Sequence, residues 1–311
     1  MLKISRNFLL TPSENYCRNL VLKHDRENFT GGFLLNKEYQ RAYYALRALN
    51  VTLATATAKV RDENLARSRL EFWKNEISND STSTPMSEEV MYLKNEKKIP
   101  KYWLNQLVKS RSDRLEYGTQ YRPFKTIKDL DSFSDKTHGI IIQCMLKVLK
   151  EQNVVVDKDS QQIARMIGYT QQLRATHYYA HMRHVVLPLD LLKHHKVDVR
   201  KLMLGGRNTE LVNFKELEEL VFDLSSRAVG LITLTRKNQE KIYNKNPDLR
   251  KLFTILIAPS EMWLKNLEKV QFDIFSKELQ KRNDSLALEL AKRVYRVFLK
   301  VNIESIEPVS Y

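Results

Sequence analysis

Glycine and proline are scarce in this chain, eight of each in 311 residues, and cysteine is scarcer, with only Cys17 and Cys144. So few turn-formers favour helix over sheet or disorder. Both cysteines sit in helical patterns without metal-ligand spacing, and read as plain packing in a reduced compartment. Long apolar runs are missing as well. Stretches such as Leu252 to Ala258 fall far short of the roughly 18 residues a spanning helix requires. The Gly205-Gly206 pair fits neither a dinucleotide nor a P-loop pattern. There is no convincing period-two strand, no repeat of 20–50 residues, and no helix-turn-helix, finger or RNP signature.

Acid is the other shortage. Lys+Arg number 52 against 37 Asp+Glu, a formal net charge of +15. Such a balance raises affinity for nucleic acid or an anionic membrane surface. The basic residues are spread along the chain rather than gathered in one tract, and no nucleic-acid partner is expected. Basic charge is also common among mitochondrial matrix proteins. Residues 1–10, MLKISRNFLL, carry Lys3 and Arg6 and no acid, which suits the start of a mitochondrial targeting segment. The expected division is therefore 1–10 as that segment and 11–311 as a single helical domain.

What is present is helical patterning, with 42% hydrophobic residues to build a core. Thr11-Pro12-Ser13-Glu14 opens a helix by capping box and N-terminal proline, expected to run past Phe29 to Gly31-Gly32. Ala42, Ala45, Leu46, Leu49, Leu53 and Ala56 make one continuous stripe. Further helices are expected over Glu63–Ile77, Glu88–Lys97 and Tyr102–Leu115. Others begin at the Thr126–Asp129 capping box, near Asp157, at Asn213, at Asn246-Pro247, at Glu261 and over Leu286–Leu299. In the last, Leu290, Ala291, Val294 and Phe298 oppose Lys292, Arg293, Arg296 and Lys300, which fits both a closing bundle helix and a helix lying on an anionic membrane.

Two segments carry the functional reading. Ile163, Met166, Ile167, Thr170, Leu173 and His177 recur at spacings of three and four, then Leu187-Pro188-Leu189-Asp190 ends the segment. Gln172-Leu173 and Leu-Pro-x-Asp resemble the second signature of the squalene/phytoene synthase family. Arg47 to Ala54 resembles the first, with Leu70–Lys74 and Arg111–Leu115 matching further family segments in order. That resemblance implies an all-α, isoprenoid-synthase-like (terpenoid synthase type I) helical bundle around a central cavity. Its enzymes hold Mg²⁺ on acid-rich motifs, because residues at i and i+4 stack on one helix face and carboxylates suit a hard cation. Here Asn50 stands at the first Asp position, Leu53 and Ala54 follow, and Arg174, His177, Tyr178, Tyr179 and His181 occupy the second motif without an acid.

The resemblance is to a non-catalytic branch of the family, carried by Leu173–Tyr178, Val186–Asp190 and Val270–Phe275. It implies a pseudoenzyme without cofactor, in mitochondria, peripheral on the matrix side of the inner membrane. There it would act early in assembly of respiratory complex I (NADH:ubiquinone oxidoreductase), with complex I subunits or assembly intermediates as partners. The alternative is an active prenyl-diphosphate condensing enzyme. Arg47, Arg174 and Arg183 offer planar forks that suit an anionic ligand without metal, and equally suit salt bridges to acids on adjacent helices. His177 and His181 have the spacing for a shared Zn²⁺ or Cu²⁺. With no Cys or carboxylate joining them in sequence, they read as polar cavity-lining or surface histidines, and no metal site is expected. A binding cavity of mostly apolar lining, able to take an apolar helix or a lipid chain, is the expected working surface.

Overall fold

The computed structural model describes residues 10–57, 60, 62–115, 123–205, 215–242, 246–280, 289 and 292. Residues 1–9, the Asn213 cap and, apart from Glu289 and Lys292, the helix expected over Leu286–Leu299 lie outside the described residues. Helices begin where side chains can satisfy the free N–H groups of a first turn. Thr11 Oγ1 accepts from the Glu14 amide at 3.2 Å while Glu14 Oε2 accepts from the Thr11 amide at 2.7 Å, opening α1 (Pro12–His24). The same box, Thr126 with Asp129, opens α7 (Ile127–Ser134). Asn246 caps α13 (Pro247–Lys269) with proline at its first position.

The helix expected to continue from α1 through Phe29 is two helices. Asp25, at φ −143° and ψ 58°, separates α1 from α2 (Arg26–Gly32). Neither glycine nor proline causes the break. Both Asp25 carboxylate oxygens are engaged, by Arg47 and by Asn28, so tertiary contacts hold the residue out of the helix.

Two long helices organise the rest. The first is α3 (Lys37–Thr57), whose Tyr43, Tyr44, Leu46, Leu49 and Leu53 are fully buried. It packs against α1, α4 (Glu63–Ser78), α5 (Pro85–Asn95) and α8 (Ile140–Val148). The second is α9 (Val154–His181), flanked by α7, α12 (Lys215–Ile242) and α13. Between α7 and α8 the chain makes one π-helical turn, Asp135–Gly139, which packs on α9 and α6 (Lys101–Ser112). Short α10 (Leu189–His194), α11 (Val199–Gly205) and α14 (Lys277–Gln280) complete the described elements. One buried apolar cluster runs from Cys17 to Phe275. No helix among the described residues is long and apolar enough to cross a membrane.

Candidate functional site

A cavity of about 530 Å³ opens between α3 and α9, with α2 and α13 at its sides. Helical spacing puts Arg47, Asn50, Val51 and Ala54 of α3 on its wall, and Ile167, Thr170, Gln171 and Arg174 of α9 face them. Asp25 and Glu27 come from the break between α1 and α2; Leu256, Pro259 and Ser260 come from α13. The wall is mixed, with polar and apolar atoms sharing it about equally, where a mostly apolar chamber was expected. The reason lies in α2, whose first turn was not read as part of the site and brings Asp25, Arg26, Glu27 and Asn28 to the wall.

These polar groups bind one another. Arg47, only 5% exposed, donates to Asp25 Oδ2 from Nε at 3.1 Å and from Nη2. Asp25 Oδ1 accepts from Asn28 Nδ2 at 2.7 Å. Arg174 meets Glu27 in a two-pronged pair, Nη1 to Oε2 and Nη2 to Oε1, both at 2.8 Å. Asn50 Oδ1 accepts from Arg111 of α6, which also donates to the Leu107 carbonyl at 2.8 Å. Behind α9, His138 of the π turn lies with Nε2 at 2.9 Å from Gln171 Oε1. The amide oxygen accepts, so Nε2 carries the proton and Nδ1 is a buried nitrogen without a partner. Burial, then the positive charge of Arg47, pushes the His138 pKa down to about 4, and the ring is neutral at physiological pH.

Mg²⁺ asks for several free oxygen donors, carboxylates first. The donor set here does not fit it. The two cavity carboxylates have all four oxygens occupied by the chain's own donors. Asn50 presents an amide already held by Arg111, and position 54 is a methyl group. Nearby acids are engaged elsewhere: Asp62 caps α4, Glu63 pairs with Arg67, and Asp190 accepts from the amides of Ile127 and Leu191.

The sequence-expected residues divide into three groups. Arg47, Asn50, Ala54 and Arg174 line the cavity. Leu53 points into the core, fully buried. His177, Tyr178, Tyr179, His181 and Arg183 lie beyond it, at the C-terminal end of α9 and in the turn that follows. There Tyr178 is half exposed against Tyr179, and Arg183 adopts a left-handed φ of 59°. The residues missed were Asp25, Glu27, Gln171 and His138. Gln172, the glutamine singled out in sequence, is buried away from the cavity that Gln171 faces.

The squalene/phytoene synthase family profile matches residues 21–285. Curated relatives include the Rattus norvegicus protein named NADH dehydrogenase (ubiquinone) complex I, assembly factor 6. It is 27% identical over 288 residues, covering 91% of this chain and 82% of the relative. The Homo sapiens protein of that name is 26% identical over 289 residues, with coverage of 91% and 82%. The Drosophila melanogaster homolog is 25% identical over 285 residues, with coverage of 88% and 81%. Among solved structures, a dehydrosqualene synthase in complex with ligand aligns at TM-score 0.74 and 15% identity, covering 93% of this chain and 96% of that one. A squalene synthase from Alicyclobacillus acidocaldarius aligns at 0.70 and 11% identity, covering 84% and 94%. The isoprenoid-synthase-like bundle is thus the fold of this chain.

Proposed function

We propose, since this chain belongs to the squalene/phytoene synthase family, that it keeps the family architecture without the family chemistry and serves as an assembly factor for respiratory complex I. The observation that carries the reading is the self-satisfied polar wall. Ionising a diphosphate takes metal ions free to bridge its oxygens, and here the four oxygens of Asp25 and Glu27 are committed to Arg47, Asn28 and Arg174. The names of the relatives, complex I assembly factor 6 in animals and its homolog in Dictyostelium discoideum, support the role. The protein then works by binding a complex I subunit or early intermediate in mitochondria, peripheral on the matrix side of the inner membrane.

Removal of the gene, followed by native-gel analysis of respiratory complexes, tests the role. Complex I falls and accumulates as subassemblies while the other complexes stay at their usual levels, and re-expression restores it. Unchanged complex I would overturn the proposal. Incubating purified protein with farnesyl or geranylgeranyl diphosphate and Mg²⁺ tests the chemistry separately: no condensation product is expected, and turnover would establish the active-enzyme alternative.

A further inference from the structure

The last turns of α9 hold two imidazoles that the central cavity does not use. His177 and His181 lie one helical turn apart, their ring centroids 4.6 Å apart and their planes at 52°. His181 Nδ1 is 2.8 Å from the His177 carbonyl oxygen. A carbonyl only accepts, so in the neutral ring Nδ1 carries the proton and Nε2 carries the lone pair. Metal-ligating histidines are commonly fixed in this way, by a hydrogen bond from the nitrogen that does not bind the ion. His177 leans on Phe275, ring centroids 5.8 Å apart, which limits its rotation.

The spacing can be checked against a chelate. A metal–nitrogen bond of about 2.0–2.1 Å puts each ring centre about 3.2 Å from the ion, so an angle of about 90–110° at the metal sets the centroids about 4.5–5.2 Å apart. The observed 4.6 Å falls inside that range.

We propose that His177 and His181 chelate a borderline transition ion, Zn²⁺ in the first instance, at the C-terminal end of α9. Two imidazole nitrogens select Zn²⁺, Cu²⁺ or Ni²⁺ over Mg²⁺ or Ca²⁺, which take oxygen. Among the described residues no third His, Cys, Asp or Glu joins them. With the described residues alone the site is open, its remaining positions filled by water or another small donor, and the ion exchanges readily. Neither histidine lines the central cavity, so this site stands whether or not the assembly role holds.

Chelator-stripped full-length protein titrated with Zn²⁺ by calorimetry, and with Co²⁺ followed by visible absorption, tests the site. One equivalent is expected. His177→Gln and His181→Gln each weaken it by about tenfold or more, because losing either arm removes the chelate advantage. His194→Gln, at an exposed histidine on α10, leaves it unchanged. Absence of heat and of a Co²⁺ band, full affinity in both α9 variants, or an equal loss in the His194 variant would overturn the proposal. His181 is exposed, so its replacement leaves the packing intact, and circular dichroism of each variant confirms the fold.

Discussion

Asp25 and Glu27 stand two residues apart and each holds an arginine, yet their removal has different consequences. The Arg47 side chain is 6% exposed, and Asp25→Asn strands its charge in the protein. Breaking one side of a buried pair costs about 3–5 kcal/mol. Glu27 and Arg174 are 28% and 38% exposed, and a pair open to solvent is worth about 0–1 kcal/mol, so Glu27→Gln is nearly silent. Urea denaturation of the two variants checks the contrast; equal losses would mean the Arg47 pair is not the anchor of the wall. His138 gives a second expectation at this scale. Its folded-state pKa, about 4, lies below the ordinary imidazole value of 6.5, so the unfolded chain takes up the proton first. Its contribution is whole above about pH 6.5 and is lost as pH falls toward about 4, on the order of 2 kcal/mol between pH 7 and pH 5. Denaturation curves at those two pH values should show a smaller acid loss for His138→Gln than for the parent chain.

At the scale of elements, α9 and the end of α7 approach each other closely at Gly168. A Cβ at Gly168 would stand 2.9 Å from Ser134 Cβ and closer still to its hydroxyl, which is tied to the Leu130 carbonyl at 2.7 Å. Gly168→Ala is therefore expected to cost about 1–3 kcal/mol by overpacking, although alanine is the better helix former by about 1 kcal/mol. A companion Ser134→Gly should recover part of the loss in a double-mutant cycle. Much at this scale was legible in the sequence. Thr11, Thr126 and Asn246 are caps whose chemistry is local, and the α3 stripe is set by periodicity alone. The break at Asp25 was not legible, because it depends on Arg47, 22 residues away. Nor was the π turn at Asp135–Gly139, whose single glycine does not set it apart from ordinary helix and which gives His138 its place behind Gln171. The candidate site divides along the same line. Asn50 and Ala54 could be placed by spacing on one helix, whereas Asp25 and Glu27 reach the cavity only through a fold-dependent break.

For the whole molecule, the question is whether the bundle still senses the ligands its architecture could hold. Anything that binds only the native state raises stability by RT ln(1 + [L]/Kd), about 2.7 kcal/mol at a hundredfold excess over Kd. In a protein of this size that is a rise in melting temperature of roughly 4 °C. With Mg²⁺ and a prenyl diphosphate together, a shift below about 1 °C is expected, because the cavity carboxylates are already paired within the chain. Returning acids to α3 alone, by Asn50→Asp with Ala54→Asp, should not change this. The new carboxylate at position 50 would face the Arg111 guanidinium that now holds Asn50 and pair with it, while the opposite wall on α9 still offers Ile167, Thr170, Gln171 and Arg174. Two divalent-ion faces must act together to clamp a diphosphate, and one face answered by an arginine clamps nothing. A clear thermal shift of the double variant with Mg²⁺ and diphosphate would show that α3 alone decides the matter, and that the arginine network of α6 and α9 yields to metal.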